Sequence, residues 1–332
     1  MDKVANLPAA QRRELFQEAG SHRGIDKAVI EKDFWVCWVL KRLFADSELK
    51  SRMVFKGGTS LSKVFGLIDR FSEDVDLILD WTLLGYSREE PYKDFESKTK
   101  QDLFNKKVNA EAADYIAGEL LEKLTKLFAV CPGVVASIDS LDRQCVNVDY
   151  PATFSESYLR PTVRLEIGPL ASWIPSANHV IHPYAAEVFP KIFEDPSSPV
   201  VAIAAERTFW EKATILHKEA HRNSKEMMPS RMSRHYYDVH KLATSAEGKA
   251  ALANLHLLGE VVEFKQRFYP SARARYDLAK PGTFKLIPGP SHLSELEKDY
   301  RDMEVMIFGD MPKFELIIET LLTLQDQINQ QS

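Results

Sequence analysis

In the stretch FKGGTSLSKVFGLIDRFSEDVDLIL, Phe55 to Leu79, two glycines and two hydroxyl residues precede Asp74 and Asp76, two carboxylates one residue apart. Carboxylates at i and i+2 of a strand project from one face and supply hard oxygen ligands, the donors that divalent cations such as magnesium select. Two such ions, roughly 3.5 to 4 Å apart, can hold the attacking and leaving oxygens of an in-line phosphoryl displacement. Gly57 and Gly58, followed by Thr59 and Ser60, offer main-chain N–H groups of the kind that cradle phosphate. Each half alone is a weak pattern. DVDL is also an amphipathic strand with its acids in water, and GGTS is also a turn with a helix cap. Their succession points to chemistry on a phosphate, and the absence of GxxxxGK[ST], with Lys56 ahead of the glycines, disfavours the P-loop version of it.

The elements that must position these residues can be read from periodicity. RMVFKGG reads as a short strand entering a glycine turn, and SLSKVFGLI as a short helix beginning after Thr59 and Ser60. In DVDLILDW, Val75, Leu77 and Leu79 face one way and Asp74, Asp76 and Ile78 the other. Upstream, helical spacing runs from Pro8 to Ala19 and from Ile25 to Phe44, where Ile30, Phe34, Cys37, Trp38 and Lys41 form one face. Residues 87–107 are charged and read as an excursion, and NAEAADYIAGELLEKLTKLF reads as an amphipathic helix. Three strands follow in GVVASID, QCVNVDY and TVRLEIG. Beyond Ala205 four helices are expected, in ERTFWEKATILHKEA, RHYYDVHKLAT, ALANLHLLGEVVEFKQRF and KFELIIETLLTLQDQIN. The expected fold class is α/β (α+β), a small mixed sheet with flanking helices followed by a helical domain.

Composition narrows the class. The chain has 332 residues, 45% hydrophobic and 27% charged, as in a globular protein with ample core. Its formal net charge is −5, which excludes a global cationic coat for nucleic acid or membrane and leaves only local contacts. Cys37, Cys131 and Cys145 lack CxxC spacing, and neither a signal-peptide core nor a run of about 20 apolar residues is present, so a cytoplasmic protein is expected. Two other patterns carry little. His217 and His221 are spaced i and i+4 in HKEAH without a signalled third ligand, so they read as surface histidines; Ser60 and Lys63 form an SxxK without companions. From Glu263 to Lys285 six basic residues stand against two acidic, interleaved with Phe264, Phe268, Tyr269 and Tyr276; this segment could track an RNA backbone or be a solvated helix over core aromatics.

GGTSL…RFSEDVDL resembles motif I of the DNA polymerase β-like nucleotidyltransferases, and most of all the AbiEii/AbiGii toxin family of abortive-infection and type IV toxin–antitoxin systems. EKDFWV (Glu31–Val36), VRLEI (Val163–Ile167), ERTFWEKATIL (Glu206–Leu216) and RHYYDVHKL (Arg234–Leu242) extend the resemblance over much of residues 30–242, leaving the last ninety or so without a comparable motif. The resemblance implies that Gly57, Gly58, Thr59 and Ser60 hold a nucleoside triphosphate (NTP) and that Asp74 and Asp76 bind Mg2+. A third carboxylate is expected from a neighbouring strand. Glu166 fits by alternation with Val163, Leu165 and Ile167; its plain alternative is a solvent-facing acid paired with Arg164, and it is a glutamate where many relatives place aspartate. Lys212 matches a lysine expected to reach the triphosphate, and Asp238 a catalytic position, with Arg234 behind them. Helix-surface ion pairing is the plain alternative for all three. Lys56, Arg70 and Ser72 are weaker candidates; in EKDFWV the aromatics read as core, and Lys32 with Asp33 could as easily pack against the catalytic turn as touch a ligand.

The resulting expectation is a nucleotidyltransferase core over residues 1–205 and a helical domain over 206–332 that closes over the nucleotide. It would transfer NMP from an NTP to an acceptor hydroxyl, with a tRNA 3′ end favoured, and act as a toxin beside a cognate antitoxin. Protein nucleotidylation and non-catalytic nucleotide or RNA binding are the alternatives.

Overall fold

The apolar residues of RMVFK and DVDLIL form two central strands, β1 (Met53–Lys56) and β2 (Asp74–Leu79), paired antiparallel with Val54 opposite Ile78 and Lys56 opposite Asp76. The computed structural model describes residues 1–72, 74–93, 95–155 and 159–331; Glu73 and Asp94, within stretches considered above, lie outside it. Five further strands complete one sheet: β3 (Val135–Ile138), β4 (Cys145–Asp149), β5 (Thr162–Gly168), β6 (Ser176–Ile181) and β7 (Ser198–Ile203). Their order is β3-β4-β5-β2-β1-β7-β6. The β2–β5 and β1–β7 pairs are parallel and the others antiparallel. This is the mixed sheet of the expected class. The sequence reading does not anticipate β6 or β7. SANHVI opens with mostly polar residues, and SPVVAI is a short, nearly continuous apolar run without alternation to mark it as a strand.

The chain divides into two compact units, Met1–Val64 with Phe71–Ile203 and Phe65–Arg70 with Ala204–Ser332. The first contains the sheet and helices α1 (Ala9–Arg23), α2 (Lys27–Ala45), α3 (Gly57–Lys63), α4 (Lys98–Tyr115) and α5 (Leu121–Phe128). Asp26 caps α2 by accepting from the Ala28 N–H at 2.8 Å. Every residue of α2 from Ala28 to Leu40 is buried, Glu31, Lys32 and Asp33 included, so this is a core helix rather than one with a single apolar stripe. Two expectations are corrected here. Part of the charged excursion, from Lys98 onward, is helix α4, whose start is capped by the Ser97 side chain. The short helix begins at Gly57, ahead of Thr59 and Ser60, and ends at Lys63.

The second unit holds α6 (Ala205–Ala220), α7 (Ser233–Ala243), α8 (Leu255–Phe268), α9 (Pro290–Asp302) and α10 (Phe314–Gln330) around Phe209, Trp210, Tyr236, Leu321 and Ile328. The stretch from Ala251 to Phe268 is not one helix as expected, because a separate helix ends at Leu252 before α8 begins. Helix α9, opened by Gly289 and Pro290, was not anticipated.

Candidate active site

The acidic face of β2 is built by register. Asp74 lies beside Arg164 and Asp76 beside Glu166 on the parallel strand β5, and Lys56 of β1 is the opposite neighbour of Asp76. Cross-strand partners project to the same side, so these five residues share one face. Asp74, Asp76 and Glu166 are all half-buried, and the apolar residues alternating with them are buried. Two carboxylates one strand spacing apart, roughly 4.8 Å, repel each other. Lys56 and Arg164 set positive charge on the same face, and hard carboxylate oxygens are the donors that a divalent cation selects. Among the described residues no three His, Cys, Asp or Glu side chains converge closely enough to hold a metal ion. Glu166 lies 3.4 Å from Arg164 Nε on its own strand, the pairing given above as its plain alternative.

The glycine turn is fitted directly to this face. Gly57 has φ +82°, and a Cβ placed on it would lie 1.9 Å from Asp76 Oδ2. Only glycine allows that approach of main chain to carboxylate. Thr59 and Ser60 are buried and use their hydroxyls internally: Thr59 Oγ1 donates to the carbonyl of Asp74, and Ser60 Oγ to the carbonyl of Gly57 at 2.9 Å. Whatever these residues offer a ligand is therefore main chain. At the other end of α3, Lys63 forms an ion pair with Asp33 of α2. The sequence reading left Asp33 open between packing against the turn and touching a ligand; the signal it passed over is the charged trio Glu31 to Asp33 set between Ile30 and Phe34, with apolar residues on either side.

In the second unit Asp238 of α7 is a charge hub. Arg70 grips it with two bonds of 2.7 Å, Nε to Oδ1 and Nη2 to Oδ2, and Lys212 of α6 reaches Oδ2 at 2.8 Å. The Asp238 side chain is fully buried, and those of Arg70 and Lys212 nearly so. Burial alone would raise the Asp238 carboxyl; the two cations outweigh it and hold the group well below the usual carboxylate range. Lys212 is thus no surface lysine, and Asp238 takes its cations from Arg70 and Lys212 on other segments. Arg70, ranked low from sequence, is central to this unit. Its segment is tied down further, with Phe308 N donating to Asp69 O at 2.7 Å and Lys241 pairing with Asp69 at 2.8 Å.

Two lesser expectations change. His217 is buried, not on the surface: its Nδ1 accepts from Lys285 N–H at 3.0 Å and its Nε2 donates to Arg275 O at 3.1 Å. Desolvation lowers its pKa to about 4, so it is a neutral core imidazole. In the basic segment, Lys265 donates to Glu211 O and Thr214 Oγ1, Arg273 pairs with Glu226, and Arg275 with Asp277. Lys265, Arg273 and Arg275 are thus engaged within the chain.

The sequence matches the family described as "Nucleotidyl transferase AbiEii toxin, Type IV TA system" over residues 38–320. Among solved structures it is similar to MenT4, a nucleotidyltransferase toxin from Mycobacterium tuberculosis H37Rv, at 17% identity and a TM-score of 0.46, covering 94% of this chain and 99% of that one. No curated protein sequence matches. With the family match spanning most of its length, the chain belongs to the AbiEii nucleotidyltransferase toxins of type IV toxin–antitoxin systems.

Proposed function

We propose that this toxin transfers NMP from an NTP to an acceptor hydroxyl, with Asp74, Asp76 and Glu166 as the carboxylates of a magnesium site. The observation that carries the reading is the fit of Gly57 against Asp76, which brings the glycine turn up to the acidic strand. Asp74, Asp76 and Glu166 would hold the metal, which when bound stabilises charge on the phosphoryl oxygens. Gly57, Gly58, Thr59 and Ser60 bind the triphosphate through main-chain N–H groups, since the two hydroxyls are already engaged. Lys212 supplies positive charge for the triphosphate, and Asp238 orients it together with Arg70.

The tRNA 3′ hydroxyl is the acceptor that the resemblance favours, and family membership implies a cognate antitoxin. A cytoplasmic setting fits three buried free cysteines and the lack, among the described residues, of a helix long and apolar enough to cross a membrane. The test is incubation with each labelled NTP, Mg2+ and either tRNA or cell lysate. Label is expected on RNA, and Asp74→Ala with Asp76→Ala should abolish both labelling and growth arrest. Label on polypeptide would replace the acceptor, and a double variant that still arrests growth would overturn the mechanism.

A further inference from the structure

Asp33 and Lys63 lie at the far end of α3 from the glycine turn, and neither has a place in the reading above. Asp33 Oδ1 is 2.7 Å from Lys63 Nζ, and both side chains are at most 4% exposed. The other oxygen, Oδ2, accepts the Tyr184 N–H at 2.7 Å. Lys63 also donates to His182 O at 2.8 Å and sits 3.6 Å from the centroid of the Tyr184 ring. Burial works against the ammonium, but the carboxylate beside it outweighs that cost and keeps Lys63 charged. The carboxylate, the carbonyl and the ring surround the ammonium, and Ser60 is already bonded to Gly57, so no Ser–Lys dyad exists.

A buried ion pair is a poor source of net stability, because well-packed apolar residues often do as well; what it imposes is geometry. Here that geometry falls on a helix of seven residues, too short to hold its shape in isolation. Lys63 fixes one end of α3. At the other end, Thr59 holds the Asp74 carbonyl and Gly57 abuts the Asp76 carboxylate. With both ends tied in this way, a displacement at Lys63 is felt roughly 9 Å away at the turn and the acidic strand.

We propose that the Asp33–Lys63 pair is a positioning device for nucleotidyl transfer: it anchors α3 to the core helix α2 and thereby sets the glycine turn in register with Asp74 and Asp76. The inference rests on the reading that the turn and these carboxylates serve the transfer. Asp33 and Lys63 are positioning residues, with no contact to substrate required of them.

The test compares full-length wild type, Lys63→Met, the neutral pair Asp33→Gln with Lys63→Gln, in which one side chain lengthens by a methylene as the other shortens, and Tyr184→Leu. In each, kcat and KM for NTP are measured per folded molecule, well below the melting temperature. Lys63→Met is expected to lower kcat/KM roughly tenfold or more, since a misplacement near 1 Å costs this much. The neutral pair, spanning the same gap by a hydrogen bond, is expected to recover to within about threefold of wild type. Wild-type constants in folded Lys63→Met, or no recovery in the folded neutral pair, would overturn the proposal. Should Lys63→Met fail to fold, Tyr184→Leu decides: a raised KM supports the proposal and unchanged constants overturn it. A wild-type chain that transfers no label overturns the functional reading on which this one stands, whereas label transfer equal in wild type and Lys63→Met sinks this inference alone.

Discussion

At Gly57 one hydrogen atom in place of a methyl group lets a main-chain turn touch a carboxylate. Gly57→Ala meets two penalties, the left-handed φ of +82° and a methyl 1.9 Å from Asp76 Oδ2. The backbone term alone costs about 1–2 kcal/mol, and relieving the clash must move either the turn or Asp76. Transfer is expected to fall by about a hundredfold, with a melting temperature that stays measurable; label transfer and thermal denaturation on one preparation check both. His217 gives a prediction of another kind. Its folded pKa, about 4, lies below its ordinary value, so the unfolded chain binds the proton more readily. The stability it carries is complete above pH 6.5 and is lost as pH falls from there towards 4, about 2 kcal/mol by pH 5. Melting temperatures at pH 7.5 and pH 5 should diverge more in wild type than in His217→Gln.

The elements show how charge is used inside this protein. In the second unit Asp238 joins α6, α7 and the Phe65–Arg70 segment, because Lys212, Asp238 and Arg70 each come from a different one of them. Asp238→Ala leaves two buried cations without their carboxylate and should destabilise by about 3–5 kcal/mol. Asp238→Asn keeps an oxygen acceptor and should lose less, which urea denaturation of the two variants would resolve. Helices α6, α7 and α10 were legible because their apolar spacing matches the helical period. Asp33, Lys63 and Arg70 were not. A buried charge reads as a surface charge until its partner is known, and the partners of Asp33 and Arg70 are 30 and 168 residues away in the chain.

The whole chain is threaded so that six residues of the connection from α3 to β2 belong to the second unit. A fragment of residues 1–203 keeps every strand but strips Arg70 of Asp238, and Asp69 of Lys241 and Phe308. Trypsin should then cut after Arg70 in the fragment, while the intact chain, with that side chain 2% exposed and bonded, should resist; mass spectrometry of timed digests would show which holds. By itself the sequence determined the class of the sheet, the shared face of Asp74 and Asp76, and the family, because alternation, turn chemistry and motif order are local properties of a chain. The tertiary structure alone decided that Glu166 stands beside Asp76, that Arg70 and Lys212 share one carboxylate, and that α3 is anchored through Asp33. Strand order and buried ion pairs join residues far apart in sequence, and no local pattern encodes which distant residue will arrive.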